Sequence, residues 1–230
     1  MKDKSNSAKP RVLPILLNTE MARAVLKNIK TETRRVVKPQ PKGAHDILGP
    51  SEENDGTYEF FCGGFDGEKY TDWIEAVKMP YHPGDTLYVR ETWTTDFYGT
   101  YHYRADFESD YLDPCETLEG GYPASCRFHP GCDGCERESQ RIRWRPSIHM
   151  PKDAARIFLR VKDVRAERLQ DLTDEDVVAE GLQIGDPFDD LWDSTIKPAD
   201  RAIYGWEADP WVWVIEFQRI SKEEALRDAG

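Results

Sequence analysis

The chain has no apolar run approaching the roughly 18 residues that a membrane-spanning helix requires, and its mean hydropathy is −0.71. No apolar stretch follows its polar start, MKDKSNSAKPRV. The expectation is therefore a short disordered tail over residues 1–12 and no secretory signal. Positive charge is scarce: 31 Lys and Arg against 43 Asp and Glu leave a net −12, which argues against a simple nucleic-acid coat protein. Cysteines number five, an odd count; without a secretory signal, metal ligation or free thiols are expected before disulfides. Secreted disulfide scaffolds, collagen and wholly disordered chains are excluded. At 230 residues a hydrophobic core needs no staples. The expectation is a soluble cytoplasmic protein without a membrane partner.

The charge is segregated. Residues 23–42 hold seven basic residues and one acid, and residues 137–165 hold nine basic residues and three acids. The segments 43–136 and 166–230 carry −15 and −11. An acidic body with two basic stretches can focus an anion at one place, although solvated helix and strand faces give the same count.

No internal repeat of 20–50 residues is present. Thr19 reads as an N-cap for a short amphipathic helix over Glu20–Ile29. Pro39 and Pro41 forbid helix beyond the following basic run. Residues 42–80 are polar and Gly-rich, with weak strand character at Tyr58–Phe61, and read as a loop or insertion. A turn at His82–Asp85 leads into a strand over Thr86–Trp93, and Tyr101 and Tyr103 mark another. Residues 105–140 read as irregular. Ile157, Leu159 and Val161 alternate as a half-buried strand. Thr173 caps a helix over Asp174–Glu180, stopped by Gly181. Asp186 and Pro187 open another helix, with Phe188, Leu191, Trp192, Thr195 and Ile196 on one face. The strand Trp211–Phe217 is apolar on both faces. Leu87, Val89, Ile157, Leu159, Trp213 and Ile215 are the expected core. Short strands with a few helices between them predict an α+β fold built on a small mixed β-barrel.

Two constellations carry chemistry. In Lys30-Thr31-Glu32-Thr33 a threonine hydroxyl becomes a nucleophile if a base takes its proton, and a lysine is such a base when burial or a neighbouring cation lowers its pKa. In Cys115…Cys126-x2-His129-x2-Cys132-x2-Cys135, the Cys-x2-Cys knuckle offers two thiolates to a structural zinc. Cys115 and Cys126 complete the tetrahedron, with His129 as a substitute. A loop of free cysteines is the competing reading.

Taken in order, Pro14-Ile15-Leu16, Lys30–Arg35, Pro83–Trp93, Leu172-Thr173-Asp174-Glu175 and Trp211–Phe217 resemble the ASCH domain family of the PUA-like superfamily. Trp144-Arg145-Pro146-Ser147-Ile148-His149-Met150-Pro151 is similar to its phage and prophage branch. The resemblance covers about residues 13–38, 80–104 and 142–220. It implies one PUA-like domain over 13–220 with flanking helices, long loop insertions at about 42–80 and 105–140, and a tail at 221–230. The family pattern Gly-x-Lys-x-x-Thr-x-Arg falls on Lys30, Thr33 and Arg35, with Asn28 in place of the glycine; Asn tolerates left-handed backbone. N4-acetylcytidine amidohydrolases of this family add a glutamate eight residues after the leucine of the Leu-Thr pair, which falls on Glu180. The resemblance implies Lys30, Thr33 and Glu180 as a catalytic triad needing no cofactor, acting on a modified cytosine nucleoside or RNA, with Arg35 among the substrate-binding residues. Glu91 and Trp93 close the Pro-Gly-Asp strand, where Trp93 either stacks on a base at the pocket mouth beside Glu91 or belongs to the barrel core. In one variant Lys30 is the base and Thr33 the nucleophile. In the other Lys30 faces the oxyanion and Glu180 activates water. The alternative function is a non-catalytic module of phage origin that binds RNA or a modified base.

Overall fold

The computed structural model describes residues 10–53, 56–65, 67, 69–95, 99–108, 111–112 and 140–227. In chain order the elements are β1 (Val12–Leu16), α1 (Thr19–Leu26), β2 (Glu32–Val36), β3 (Ala44–Pro50), β4 (Thr57–Phe65), β5 (Tyr70–Lys78), β6 (Thr86–Arg90), β7 (Trp93–Thr95), β8 (Tyr101–Tyr103), β9 (Tyr111–Leu112), β10 (Gln140–Arg141), β11 (Phe158–Arg168), α2 (Asp174–Ala179), α3 (Phe188–Thr195), α4 (Arg201–Tyr204), β12 (Trp211–Ile220) and α5 (Lys222–Arg227). The fold is α+β. Its largest sheet has the order β1-β6-β11-β12-β2, so β1 and β2 are edges. Among the described residues no sheet closes into the expected barrel.

The chain divides into two compact units. The first comprises the described parts of 1–13, 24–87 and 157–230; the second comprises 14–23 and the described parts of 88–156.

In the first unit β12 pairs antiparallel with β11 on one side and with β2 on the other. Register places Val214 opposite both Arg34 and Arg165, and Trp213 opposite both Arg35 and Ala166. Successive strand residues face opposite sides. One side therefore carries Glu32, Arg34, Arg165 and Glu167, and the other carries Thr33, Arg35, Trp213 and Ile215. The apolar character of β12 on both faces follows. Val212 and Val214 pack with Leu169, Phe188 and Trp192, while Trp211 and Trp213 meet Phe60 and Tyr58 edge-on. All six expected core residues are buried.

Residues 42–80 are not the loop expected from their Gly-rich composition. They form the antiparallel sheet β3-β4-β5. Tyr58, Phe60 and Cys62 alternate as its buried residues. The apolar Phe61 on the opposite face and the glycines at 63 and 64 blur this period-2 signal in the sequence. Of the segment assigned to the N-terminal tail, residues 10–12 are described, and there the Arg11 backbone N–H donates to Asp85 Oδ1 at 3.0 Å and its guanidinium pairs with the same carboxylate. At the other end α5 occupies part of the expected C-terminal tail.

In the second unit β7 pairs with β8, and Trp93 forms an isolated bridge with Arg145. The Arg156 guanidinium lies 3.9 Å from the Tyr103 ring centre, and the Tyr103 hydroxyl donates to the Ala154 carbonyl at 2.6 Å.

Candidate active site

Lys30 is placed by the end of α1. Asn28 takes φ 55°, the left-handed turn that its side chain tolerates, and the Ile29 and Lys30 amides return to the Ala24 carbonyl at 2.9 and 3.2 Å. The helix cap is Asn18 rather than Thr19: Asn18 Oδ1 accepts the Met21 N–H at 2.8 Å. Beyond Lys30, the Thr31 N–H donates to the last carbonyl of α2, that of Ala179, at 2.8 Å. This bond brings the end of α2 beside the start of β2.

Glu180 follows α2 as its C-cap. A capping box between Thr173 and Asp176 fixes the start of that helix. Gly181 then turns the chain at φ +92°. The buried Lys30 ammonium donates to Glu180 twice, to its backbone carbonyl at 2.8 Å and to Oε2 of its carboxylate. Glu180 Oε1 accepts the Arg34 N–H at 2.6 Å. β2 is an edge strand, so this amide lacks a strand partner on its outer side, and the carboxylate supplies the acceptor.

Thr33 is buried on β2 opposite Ile215. Its Oγ1 accepts from the Arg35 guanidinium at 3.0 Å, and Arg35 also donates to the Arg34 carbonyl at 2.8 Å. Burial lowers the Lys30 pKa below the usual amine range. Glu180 opposes that shift and the Arg35 charge adds to it. Burial also lowers the Arg35 pKa. The structure thus joins Lys30 with Glu180, and Thr33 with Arg35, on adjoining parts of one strand and its edge.

Sequence reasoning missed the charges on the other side of β2. The fully buried Arg34 guanidinium donates to Glu32 Oε1 and Glu167 Oε1, both at 2.6 Å, and lies 3.4 Å from Asp176 and 3.5 Å from Glu180 Oε1. Arg165 donates to Glu216 at 2.6 Å and to the second oxygen of Glu32 at 3.1 Å. The signal was present in two strand segments, Glu32-Thr-Arg34 and Arg165-Ala-Glu167, each with opposite charges two residues apart and so on one face. A cleft of about 510 Å³ lies beside this start of β2, walled by Lys30, Thr31, Glu32, Lys162, Gln218 and Arg219 among others.

Glu91 and Trp93 belong to the second unit. The buried Glu91 carboxylate accepts two bonds from Arg156, at 2.9 and 3.1 Å, and Arg156 also donates to Asp106 at 2.7 Å. Burial raises the Glu91 pKa against the pull of Arg156. Trp93 is buried between the Arg145 guanidinium, 4.9 Å from its ring centre, and Tyr101 at 5.7 Å. Among the described residues its indole N–H has no hydrogen-bond partner.

Cys115, Cys126, Cys132, Cys135 and His129 lie outside the described residues. Among the described residues no group of three or more His, Cys, Asp or Glu side chains is placed to hold a metal. No helix among them is long and apolar enough to cross a membrane. No known protein family, curated protein or solved structure matches the chain.

Proposed function

We propose that this chain is an ASCH-type, PUA-like amidohydrolase that removes the acyl group from N4-acylated cytosine nucleosides, using Lys30, Thr33 and Glu180. The observation that carries the reading is the meeting of Lys30 and Glu180. They are 150 residues apart in sequence, and they form a buried ion pair at the edge of the strand that holds Thr33. A lysine with a lowered pKa is the base that a threonine nucleophile requires.

In the reaction the Thr33 hydroxyl gives its proton to the Lys30 amine as Oγ1 attacks the amide carbonyl carbon. The tetrahedral intermediate collapses with breakage of the carbon–N4 bond, and the Lys30 ammonium returns the proton to N4. Water then cleaves the acyl-threonine ester by the same proton path, releasing a carboxylic acid. Arg35 donates to Thr33 Oγ1 and holds it in place, and Glu180 holds Lys30. Arg35, in the same unit as Lys30, Thr33 and Glu180, is the proposed substrate contact. No cofactor enters this scheme. The proposed zinc at Cys115, Cys126, Cys132 and Cys135 is structural, and metal analysis of reduced protein should return about one zinc per chain.

One observation favours a second reading, a non-catalytic module that binds RNA or a modified base. Lys30 and Thr33 bond to different partners, Glu180 and Arg35, rather than to each other. Ultraviolet absorbance of N4-acetylcytidine with the protein present separates the two. Release of cytidine supports the enzyme, with a loss of roughly 10²–10⁴-fold in Lys30→Ala and partial retention in Thr33→Ser. Normal turnover by Thr33→Ala would exclude Thr33 as the nucleophile and leave water activation by Glu180. Saturable RNA gel shifts without turnover would install the binding module instead.

A further inference from the structure

Glu180 is shared between two cations. Its Oε2 takes the Lys30 ammonium, while its Oε1 takes the Arg34 N–H and lies 3.5 Å from the Arg34 guanidinium. Arg34 cannot turn away. Glu32 and Glu167 grip its guanidinium at 2.6 Å each, and Arg165 braces both of those carboxylates from the far side at 3.1 and 3.3 Å. The lattice draws on β2, β11 and the start of α2, and the Arg34 side chain is wholly excluded from solvent. A planar fork suits this geometry, since it donates in several fixed directions at once.

We propose that Arg34 is a positioning residue for the Lys30–Glu180 pair: it fixes one oxygen of Glu180 and offsets part of the carboxylate's charge, so that Lys30 meets the other oxygen only and is not locked as an ammonium. The inference rests on the catalytic reading of Lys30 and Glu180. The charges facing Lys30 are Glu180 from the end of α2 and Glu32 and Arg35 from β2. Two of these are acids, and both also contact Arg34. Without the Arg34 guanidinium, both would act more strongly on Lys30, and its proton would be held to higher pH.

The test pairs Arg34→Gln with Glu167→Gln, so that one charge of each sign is lost and the balance of the lattice is kept. Glu167→Gln alone is the control, because it leaves Arg34 beside Glu180. Two readouts are taken: the titration of the Lys30 side chain by isotope-edited NMR, and the pH profile of N4-acetylcytidine turnover. The double variant should raise the Lys30 titration by roughly one pH unit, the effect of a removed neighbouring charge. It should shift the rising limb of kcat/KM by the same amount, so the rate at pH values below that limb falls about tenfold. Glu167→Gln should move neither by more than a small fraction of that. Where the double variant does not fold, Arg34→Lys serves: a point charge cannot span Glu32, Glu167 and Glu180, and a smaller rise is expected. A folded variant of either kind in which Lys30 titrates as in the wild type overturns the proposal. NMR does not depend on turnover, so an inactive wild type would defeat the catalytic reading while this result still decided the role of Arg34.

Discussion

Gly181 stands where two requirements coincide. Its φ of +92° is a conformation that side chains resist, and an added Cβ would lie 2.8 Å from the Ala24 Cβ and 3.0 Å from the Lys30 Cβ. The glycine lets the end of α2 close on the turn that carries Lys30, which is how the Glu180 carbonyl and carboxylate both reach the ammonium. Gly181→Ala should cost about 1–3 kcal/mol through backbone strain, and more if Lys30 is displaced; chemical unfolding gives the value. Under the proposed catalytic reading, the same substitution should reduce turnover by more than its stability loss explains, because it separates Lys30 from Glu180. At Asn28, φ 55° makes the opposite case: Asn28→Gly should leave stability unchanged within a few tenths of a kcal/mol, because glycine adopts the left-handed region freely.

At the scale of elements, α2 has only six residues and is too short to stand alone. Its capping box satisfies two backbone donors, and its last carbonyl accepts the Thr31 N–H. Thr173→Ala should cost about 1 kcal/mol, and the loss should loosen Glu180 because the helix delivers that residue. The turn before β6 is held by a different device. Burial pushes the Asp85 pKa up, but hydrogen bonds from Arg11 and His82 outweigh it and leave the carboxyl below its ordinary 3.8. The carboxylate is favoured in the folded chain, so its contribution to stability is complete above pH 3.8 and is lost as pH falls through the lowered folded value. Asp85→Asn should therefore destabilise the protein at neutral pH, by about 1–3 kcal/mol for groups left unpaired. The gap between variant and wild type should narrow in melts taken below about pH 4.

For the molecule as a whole, the acidic surplus hides a chain that places its charges selectively. Arg34, Glu32, Lys30 and Glu180 are all buried, in mutual contact rather than in water. The three-stranded sheet of residues 44–78 is part of the core of its unit, since Phe60 is fully buried against Trp211 and Trp213. Phe60→Ala should cost about 3–5 kcal/mol, the range for truncating a buried aromatic side chain. Excising residues 44–78 should give an insoluble or loosened product with exposed tryptophan fluorescence. A loop insertion outside the core would instead be removed without loss of stability.

Local pattern alone identified the elements whose periods are clean. The alternation of Ile157, Leu159 and Val161 and the double-sided apolar run of Trp211–Phe217 are strands with few competing conformations, and Thr173 marks a helix start by capping chemistry that acts over three residues. The Lys30, Thr33 and Glu180 positions were likewise legible as residues, through a resemblance in spacing. What they touch was not. The pairing of Thr33 with Arg35, the sharing of Glu180 between Lys30 and Arg34, and the packing of Phe60 on Trp211 all join atoms distant along the chain or select one partner among several charges. Such choices depend on strand register and on which face each side chain leaves, and a one-residue change in register reverses every face. Composition misread residues 42–80 for the same reason: glycine and acidic residues suit a loop in isolation, while burial of Tyr58 and Phe60 becomes favourable only once β12 provides the tryptophans against which they pack.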